Sequence, residues 1–499
     1  MSIFSRLNKD YLDSINDLSK TAFGSNPNSS DFIDTVNIRG DSLTPTRQDQ
    51  VSILKLAINC PNGDVVDLIP YFIGIGVTES MYFASIRGTI TIRDTLGLIE
   101  KHAIRGGEHL SIRIGRPTSD KQIIIWREDL IIHKITGSEF NPIDLSSTVT
   151  LHFTSRSIVR SLKKNIFKSF KGIPMRDAVV SLYQEMSPND LIIEDPYITI
   201  PADRPFVCAG LMPHKAIEFL ANRAASKNFT MFFERFVPFY GEYPDGQPFS
   251  TSHYFGSIKN LIETSQSNGT RTIVYSNKLD AVADSGNRAS KLEIKTNFNH
   301  LASIITGYYN TSITTVDPIT RSSSVQKMGY STKSTPITNM YQNKLLNEEN
   351  LFNLYNDFNG EVPGRKVVFS SKNDMIGRSS WLKNHIENYI ATRMFRIEIT
   401  VQGATNTFGV GHLVNFVMPS KVNKVLEPGN PYLELDHMLS GKYLITAITH
   451  AIVSGNYEKR LELSRDGSVF NYNTNLVNDF DFTKLESDYQ KLFTSKSLP

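Results

Sequence analysis

Residues 81–114 read MYFASIRGTITIRDTLGLIEKHAIRGGEHLSIRI, and two properties of this stretch decide the fold. Ile86, Gly88, Ile90 and Ile92 recur at every second position, as do Leu110, Ile112 and Ile114 against Ser111 and Arg113. A period of two places each set on one face of a strand. Between them lie Asp94, Gly97, Gly106 and Gly107, residue types that favour turns. The pattern returns later in the chain. Residues 394–420, MFRIEITVQGATNTFGVGHLVNFVMPS, alternate Phe395, Ile397, Ile399 and Val401 with Arg396, Glu398 and Thr400. Residues 439–468, LSGKYLITAITHAIVSGNYEKRLELSRDGS, continue it. Gly403 and Gly411 hold turn positions, where positive φ suits glycine.

Working outward, KQIIIWREDLIIHKI (121–135) reads as a longer, more apolar pair of strands. SSTVTLHF (146–153) sets Val149, Leu151 and Phe153 on one face. Short strands broken by Gly and Asp turns describe a small antiparallel barrel over 51–155. Helices enter next. MRDAVVSLYQEM (175–186) carries a stripe of Met175, Ala178, Val179, Leu182, Tyr183 and Met186, opened by Pro174. PHKAIEFLANRAASK (213–227) carries Ala216, Ile217, Leu220, Ala221 and Ala224, and FTMFFERF (229–236) reads as a strand. Residues 156–290 therefore form an α+β insert. Residues 291–470 form a second barrel, with a strand through Tyr308–Val316 stopped at Asp317-Pro318 and a polar excursion at about 320–375. The fold class is α+β, mainly β. Two barrels of one type in one chain can build a ring: three chains would set six barrels about one axis, a threefold object with a near-sixfold face.

Three flanking segments have helical period: 3–23, followed by a polar linker to residue 50; 379–390; and 481–493 within a C-terminal tail of 471–499. The first either packs on its own body or is an arm that docks on a partner.

The chain has 499 residues, enough for about three or four domains, and a formal net charge of +3. That near-balance gives no global argument for nucleic acid or membrane as partner. Cys60 and Cys208 match no zinc or redox spacing and read as free, buried thiols, in keeping with folding in a reducing cytoplasm. No apolar run approaches the ~18 residues of a membrane span, and the N-terminus has no secretory apolar core.

No nucleophile elbow, metalloprotease helix, Walker loop or dinucleotide fingerprint is present. No cofactor, metal ligand or catalytic set is expected. Asp94, Glu100 and Glu108 could supply the carboxylate pair of a glycan hydrolase. Each lies at or beside a turn, where Asp and Glu are ordinary, so turn roles are the expectation. A basic run, Arg156, Arg160, Lys163, Lys164, Lys168 and Lys171, is either a solvated face beside an acidic neighbour or a phosphate-facing stripe. The first reading is preferred. Tyr443 and His450 read as barrel-packing residues rather than ligands.

Three stretches, in order, resemble the baseplate hub proteins of contractile-tailed phages, which are similar to the hub part of type VI secretion spike proteins. In GTITIRDTLGLIEKHAIRGGEHLSIRI the matching positions are Ile92, Asp94, Gly97, Gly107, Glu108 and Leu110. In YYNTSITTVDPITRS the match is Asp317. In the C-terminal stretches they are Gly403, Gly411, Ser440, Gly441, Lys442, Tyr443, His450, Arg465 and Asp466. The likeness runs through most of residues 50–470. The N-terminal helix with its linker and the 320–375 excursion depart from it.

The resemblance implies two tube-protein-like barrels in a homotrimeric, pseudo-sixfold ring. It implies a non-enzymatic role between a sixfold tail tube and a threefold central spike, in assembly and genome ejection. The implied partners are the chain itself, the central spike protein, and the tail tube protein or tube initiator, with tape measure and baseplate wedge proteins nearby. The implied location is the virion's tail baseplate. The alternatives are the hub of another contractile injection particle, a tail-associated glycan or peptidoglycan hydrolase, and a DNA-binding barrel protein.

Overall fold

A computed structural model describes residues 51–60, 62–115, 123–141, 146–187, 191–194, 206–223, 230–236, 251–267, 270–275, 288–297, 305, 310–317, 319–329, 365–369, 392–393, 395–402, 409–419, 436, 439–453 and 456–465. The helices expected at 3–23, 379–390 and 481–493, and the motif residues Gly403 and Asp466, lie outside these.

The N-terminal part is built from β1 (Ser52–Asn59), β2 (Val65–Asp67), β3 (Phe72–Ser80), β4 (Arg87–Asp94), a one-turn helix α1 (Leu98–Lys101), β5 (His109–Gly115), β6 (Ile123–Asn141) and β7 (Ser146–Ser155). The middle adds α2 (Arg156–Leu162), β8 (Ile166–Phe170), α3 (Met175–Gln184), β9 (Leu191–Glu194), β10 (Phe206–Leu211), α4 (Pro213–Arg223), β11 (Thr230–Phe236), β12 (Thr251–Ser257) and α5 (Ile258–Ser267). The remainder comprises β13 (Arg271–Tyr275), β14 (Arg288–Asn297), β15 (Asn310–Asp317), β16 (Ser322–Gly329), β17 (Arg365–Phe369), β18 (Phe395–Gln402), β19 (Leu413–Val417), β20 (Gly441–Val453) and β21 (Asn456–Arg465).

One 13-stranded sheet contains both barrels. Barrel 1 runs β3-β4-β7-β6-β5-β1, with β2 outside β1; barrel 2 runs β14-β18-β21-β20-β19-β13 and closes where β13 meets β14. Taken in chain order, the two series are the same. The ladders repeat in detail. A bulge after Phe72 on β3 recurs after Ala289 on β14, and one after Ile132 on β6 recurs after Ile445 on β20. Gly107 N donates to Ile132 O at 2.6 Å, and Ile132 N to Glu108 O at 3.0 Å. Gly411 N donates to Ile445 O at 2.9 Å, and Ile445 N to His412 O at 2.9 Å. Gly107 and Gly411 both have positive φ, +103° and +90°, so they are one position met twice. The barrels differ at the first strand of each: β1 runs antiparallel to β5, whereas β13 runs parallel to β19 and is also laddered to β14.

Each barrel buries its alternating apolar set, and the two cores are separate clusters. Among the described residues barrel 1 has no ladder between β1 and β3. The seam is bridged by Leu68 N donating to Leu56 O at 2.8 Å, with Leu68 fully buried. The α3 and α4 stripes form a third core with Phe206, Phe232 and Phe255. Helix α5 instead sends Ile258, Leu261 and Ile262 into the barrel 2 core.

Three details differ from the sequence expectation. Residues 123–135 hold no turn: β6 is one 19-residue strand. Glu128 and Asp129 sit in a bulge where three steps along β6, from Arg127 to Leu130, oppose two steps of β5. Strands β13 and β14 join barrel 2 although β13 lies inside the stretch 156–290; at five residues it is too short to display a period. The polar stretch after 320 supplies β16 and β17, which flank β15 in a separate three-stranded sheet. SSSVQKMG lacks apolar alternation, so nothing in it marks a strand.

Candidate functional site at the joint between the barrels

The barrels meet edge to edge. Strand β20 spends Gly441–Leu444 on β19 and Leu444–Val453 on β21, and its far edge pairs antiparallel with β3 from Ala447↔Ser80 to Val453↔Gly74. Thr78 and Thr449 face each other across this ladder with Oγ1 atoms 3.0 Å apart. His450 Nδ1 lies 2.6 Å from Tyr457 OH, and its Nε2 lies 3.5 Å from Glu79 Oε1. Burial holds the His450 imidazole below its ordinary pKa, against the pull of Glu79. Glu79 in turn accepts from Phe236 N at 2.7 Å.

Strand β11 locks the joint from the insert. All seven of its residues are buried, which its sequence TMFFERF allows only if the two charges find partners. Phe232 enters the insert core, Phe233 the barrel 2 core and Phe236 the barrel 1 core. Glu234 accepts from Arg127 Nη1 at 2.9 Å and from Ile86 N at 2.9 Å. Arg127 also reaches Asp129 at 2.7 Å and Ser155 Oγ at 3.3 Å. Burial alone would raise the Glu234 carboxyl, but the Arg127 guanidinium and His253 outweigh it and hold the group low. Arg235 donates to Val410 O at 2.9 Å and lies over the Tyr254 ring. His253 stands opposite Glu234 on β12, accepts or donates at Tyr183 OH (2.9 Å), and burial keeps it below the ordinary imidazole range.

The motif residues sit at turns and cores around this joint. Ile92 and Leu110 are fully buried in barrel 1. Asp94 accepts from Leu98 N at 2.8 Å and from Leu96 N and Ile99 N at 3.2 Å, so its carboxylate caps the turn opened by Gly97 (φ +63°). Glu108 accepts from Arg105 N at 2.8 Å and Gly106 N at 2.9 Å. Both carboxylates are spent on backbone amides, and Glu100 lies in the first turn of α1. Asp317 accepts from Ile319 N at 2.9 Å in the sheet of β15, away from the joint. Gly411 faces Leu261, whose side chain a Cβ would meet at 3.1 Å.

Ser440 Oγ accepts from Met418 N at 3.0 Å and donates to Met418 O at 3.1 Å; Gly441 follows at φ +138°. Tyr443 OH donates to Leu439 O at 2.7 Å, and burial pushes its pKa up. Arg465 is fully buried, donates to Ser440 O at 3.3 Å and lies 4.1 Å over the Phe395 ring. Of the motif residues only His450 belongs to the joint itself. The residues that make it with His450, namely Glu79, Arg127 and Glu234, were missed. The one signal was a charge pair, Glu234-Arg235, inside an aromatic strand.

The basic run is partly neutralised within the insert. Lys168 donates to Glu185 at 2.8 Å and Lys164 at 3.2 Å, and these lysines hold the Glu185 carboxyl below its ordinary range. His102 and His109 are half-buried, and His102 meets Asp64 at 3.2 Å. Cys60 and Cys208 are free and buried. Among the described residues no cluster of His, Cys, Asp or Glu could hold a metal ion, and no helix is long and apolar enough to cross a membrane.

The geometry defines a tandem-barrel protein whose barrels share one sheet and are locked by an inserted α+β unit. No family model and no curated protein matches the chain. Among solved structures it is similar to the 43 kDa tail protein of prophage MuSo2 from Shewanella oneidensis, at 10% identity and a TM-score of 0.45, covering 83% of this chain and 98% of that one. It is similar to a tail protein from Neisseria meningitidis MC58, at 12% identity and a TM-score of 0.47, covering 83% and 97%. A type VI secretion component of E. coli, itself described as similar to bacteriophage T4 tail proteins, follows at 8% identity and a TM-score of 0.39, covering 83% and 76%.

Proposed function

We propose that the chain is a structural hub of a contractile tail, a homotrimer that adapts a sixfold tail tube to a threefold central spike. The observation that carries this reading is the joint. Two barrels with one strand order stand side by side through a β3–β20 ladder, as two subunits of a ring would. A trimer then offers six barrels to a tube and three copies of everything else to a spike. The hub of a related injection particle needs the same geometry and differs only in what it is mounted on. The role asks for rigidity rather than turnover, and the buried ion pairs and shared sheet supply it.

The test is the native mass of the purified chain at micromolar concentration, with class averages of the particle. A species near three times 56.2 kDa showing six lobes supports the reading. A monomer that stays monomeric when spike and tube proteins are added counts against it.

A further inference from the structure

The two faces of the β8–β10 sheet differ sharply. Ile166, Phe170, Phe206 and Cys208 point into the insert core and are buried. On the other face Phe167 is 79% exposed and Val207 55%, and exposed Ala209 stands opposite Phe167 on the ladder. The Phe167 ring is seated rather than loose. It lies along Gly210, where a Cβ would stand 3.4 Å from it. Among the described residues β8 and β10 pair only with each other. Large apolar side chains gathered on one open sheet face mark a contact surface.

The rim of this face is basic. Lys164 and Lys168 are taken by Glu185. Lys163 and Lys171, at the two ends of β8, are exposed and meet no acid among the described residues. The fitting occupant is therefore an apolar stripe with acidic borders. Three segments outside the described residues have helical period in the sequence. Residues 3–23 balance Asp10, Asp13 and Asp17 with Arg6, Lys9 and Lys20, and residues 379–390 balance Glu387 with Lys383. Residues 479–493 alone carry an excess, with Asp479, Asp481, Glu486 and Asp488 against Lys484 and Lys491. At about 100° per residue, Phe482, Leu485, Tyr489 and Leu492 form one stripe. Glu486 falls on one border of it, Asp481 and Asp488 on the other, and both lysines on the back.

The place where β21 finishes favours the same segment. Ser464 Oγ donates to Thr392 O, which also accepts from Tyr82 OH at 3.1 Å. Ala84, two residues beyond Tyr82, packs in the insert core with Ile166 and Phe206. The tail thus leaves barrel 2 beside the insert. Residues 466–478 lie between, a length that can span up to roughly 45 Å.

We infer that residues 479–493 pack on the β8–β10 face of their own copy, with the apolar stripe on Phe167 and Val207 and the acidic borders beside Lys163 and Lys171. The tail then straps the end of barrel 2 to the insert, a second fastening besides β11. Covering Phe167 and Val207 supplies most of the stabilisation, and the exposed ion pairs choose the segment and its direction.

The test is photo-cross-linking in the full chain, with p-benzoylphenylalanine in place of Phe167, a position open enough to accept it. Irradiation should give a product at one chain mass whose linked peptide falls within 479–493. The same probe in place of Leu96, 67% exposed on the barrel 1 turn, should not reach that peptide. Hydrogen exchange reads the contact without a probe. Phe167→Asp should speed exchange in 479–493 about tenfold or more and leave β18 and β20 unchanged. Lys163→Glu with Lys171→Glu should speed it by a smaller factor. A linked peptide from 3–23 or 379–390, a product at twice the chain mass, no linked peptide at all, or exchange in 479–493 that Phe167→Asp does not alter overturns the inference. The hub reading stands through each of these outcomes.

Discussion

At the scale of single residues, the two barrels solve one packing problem in two ways. Gly88 and Phe153 face each other across β4 and β7, while their counterparts in barrel 2 are Ile397 and Leu463. A glycine opposite a phenylalanine and an isoleucine opposite a leucine fill similar space. A Cβ at Gly88 would meet the Phe153 ring and Gly76 O, each at 2.3 Å. Gly88→Ala is therefore expected to destabilise by about 1–3 kcal/mol. Adding Phe153→Leu should recover only part of this, because Gly76 O is backbone; chemical denaturation of both variants checks it. Glu234→Gln leaves the buried Arg127 with only the more exposed Asp129 as counter-charge and is expected to cost about 3 kcal/mol, the low end for breaking a buried pair. Exposed Lys55→Ala, which breaks only the surface pair with Glu128, should cost under about 1 kcal/mol in the same assay.

At the scale of elements, legibility followed the range of the interaction. Strands β4, β5, β7 and β18 and helices α3 and α4 each carry their own period, so a short window suffices. The Gly107 and Gly411 turns were readable because positive φ leaves a residue-type signature. The stretch 121–135 reads as a pair of strands because the break in its pattern at Arg127–Leu130 is a bulge that only β5, laid beside it, makes visible. The polar strand β16 has no apolar face to show. The joint left no local mark, since β3 and β20 pair residues about 370 positions apart, as with Thr78 and Thr449. Thr449→Pro tests that joint directly. Thr449 is laddered to both β3 and β21, so proline removes a bond in a central strand. The expected loss is on the order of 3 kcal/mol, the scale of proline inside regular structure. Faster hydrogen exchange in β3 than in β5 would locate the damage at the joint; equal protection of both strands would contradict it.

At the scale of the whole molecule, several buried imidazoles make stability depend on pH. Burial, helped by Lys215 and Arg87, lowers the His214 pKa to about 4. Burial, with Arg235 and Arg271, lowers that of His412 to about 3. In the unfolded chain both take a proton near pH 6.5. The folded state binds fewer protons in this window, so stability is full above the unfolded pKa and is lost as pH falls below it. Each group contributes a slope of up to about 1.4 kcal/mol per pH unit between pH 6.5 and its folded value. Urea midpoints should be level from pH 8 to 7 and should fall steadily from pH 6 to 4.5. A midpoint unchanged down to pH 5 would contradict the buried neutral state of these histidines.

The division of β20 between two barrels also has a consequence for synthesis. The edge of β3 emerges from the ribosome early, but the residues that cover it, Ala447–Val453, belong to the last but one of the described strands. At about 5–20 residues per second, that edge waits roughly 20–70 s for its partner. On a polysome, neighbouring nascent chains expose the same edge during the same interval. The gene's translation rate, and any chaperone that shields a bare strand, would then decide whether β20 is captured by its own chain or exchanged with another.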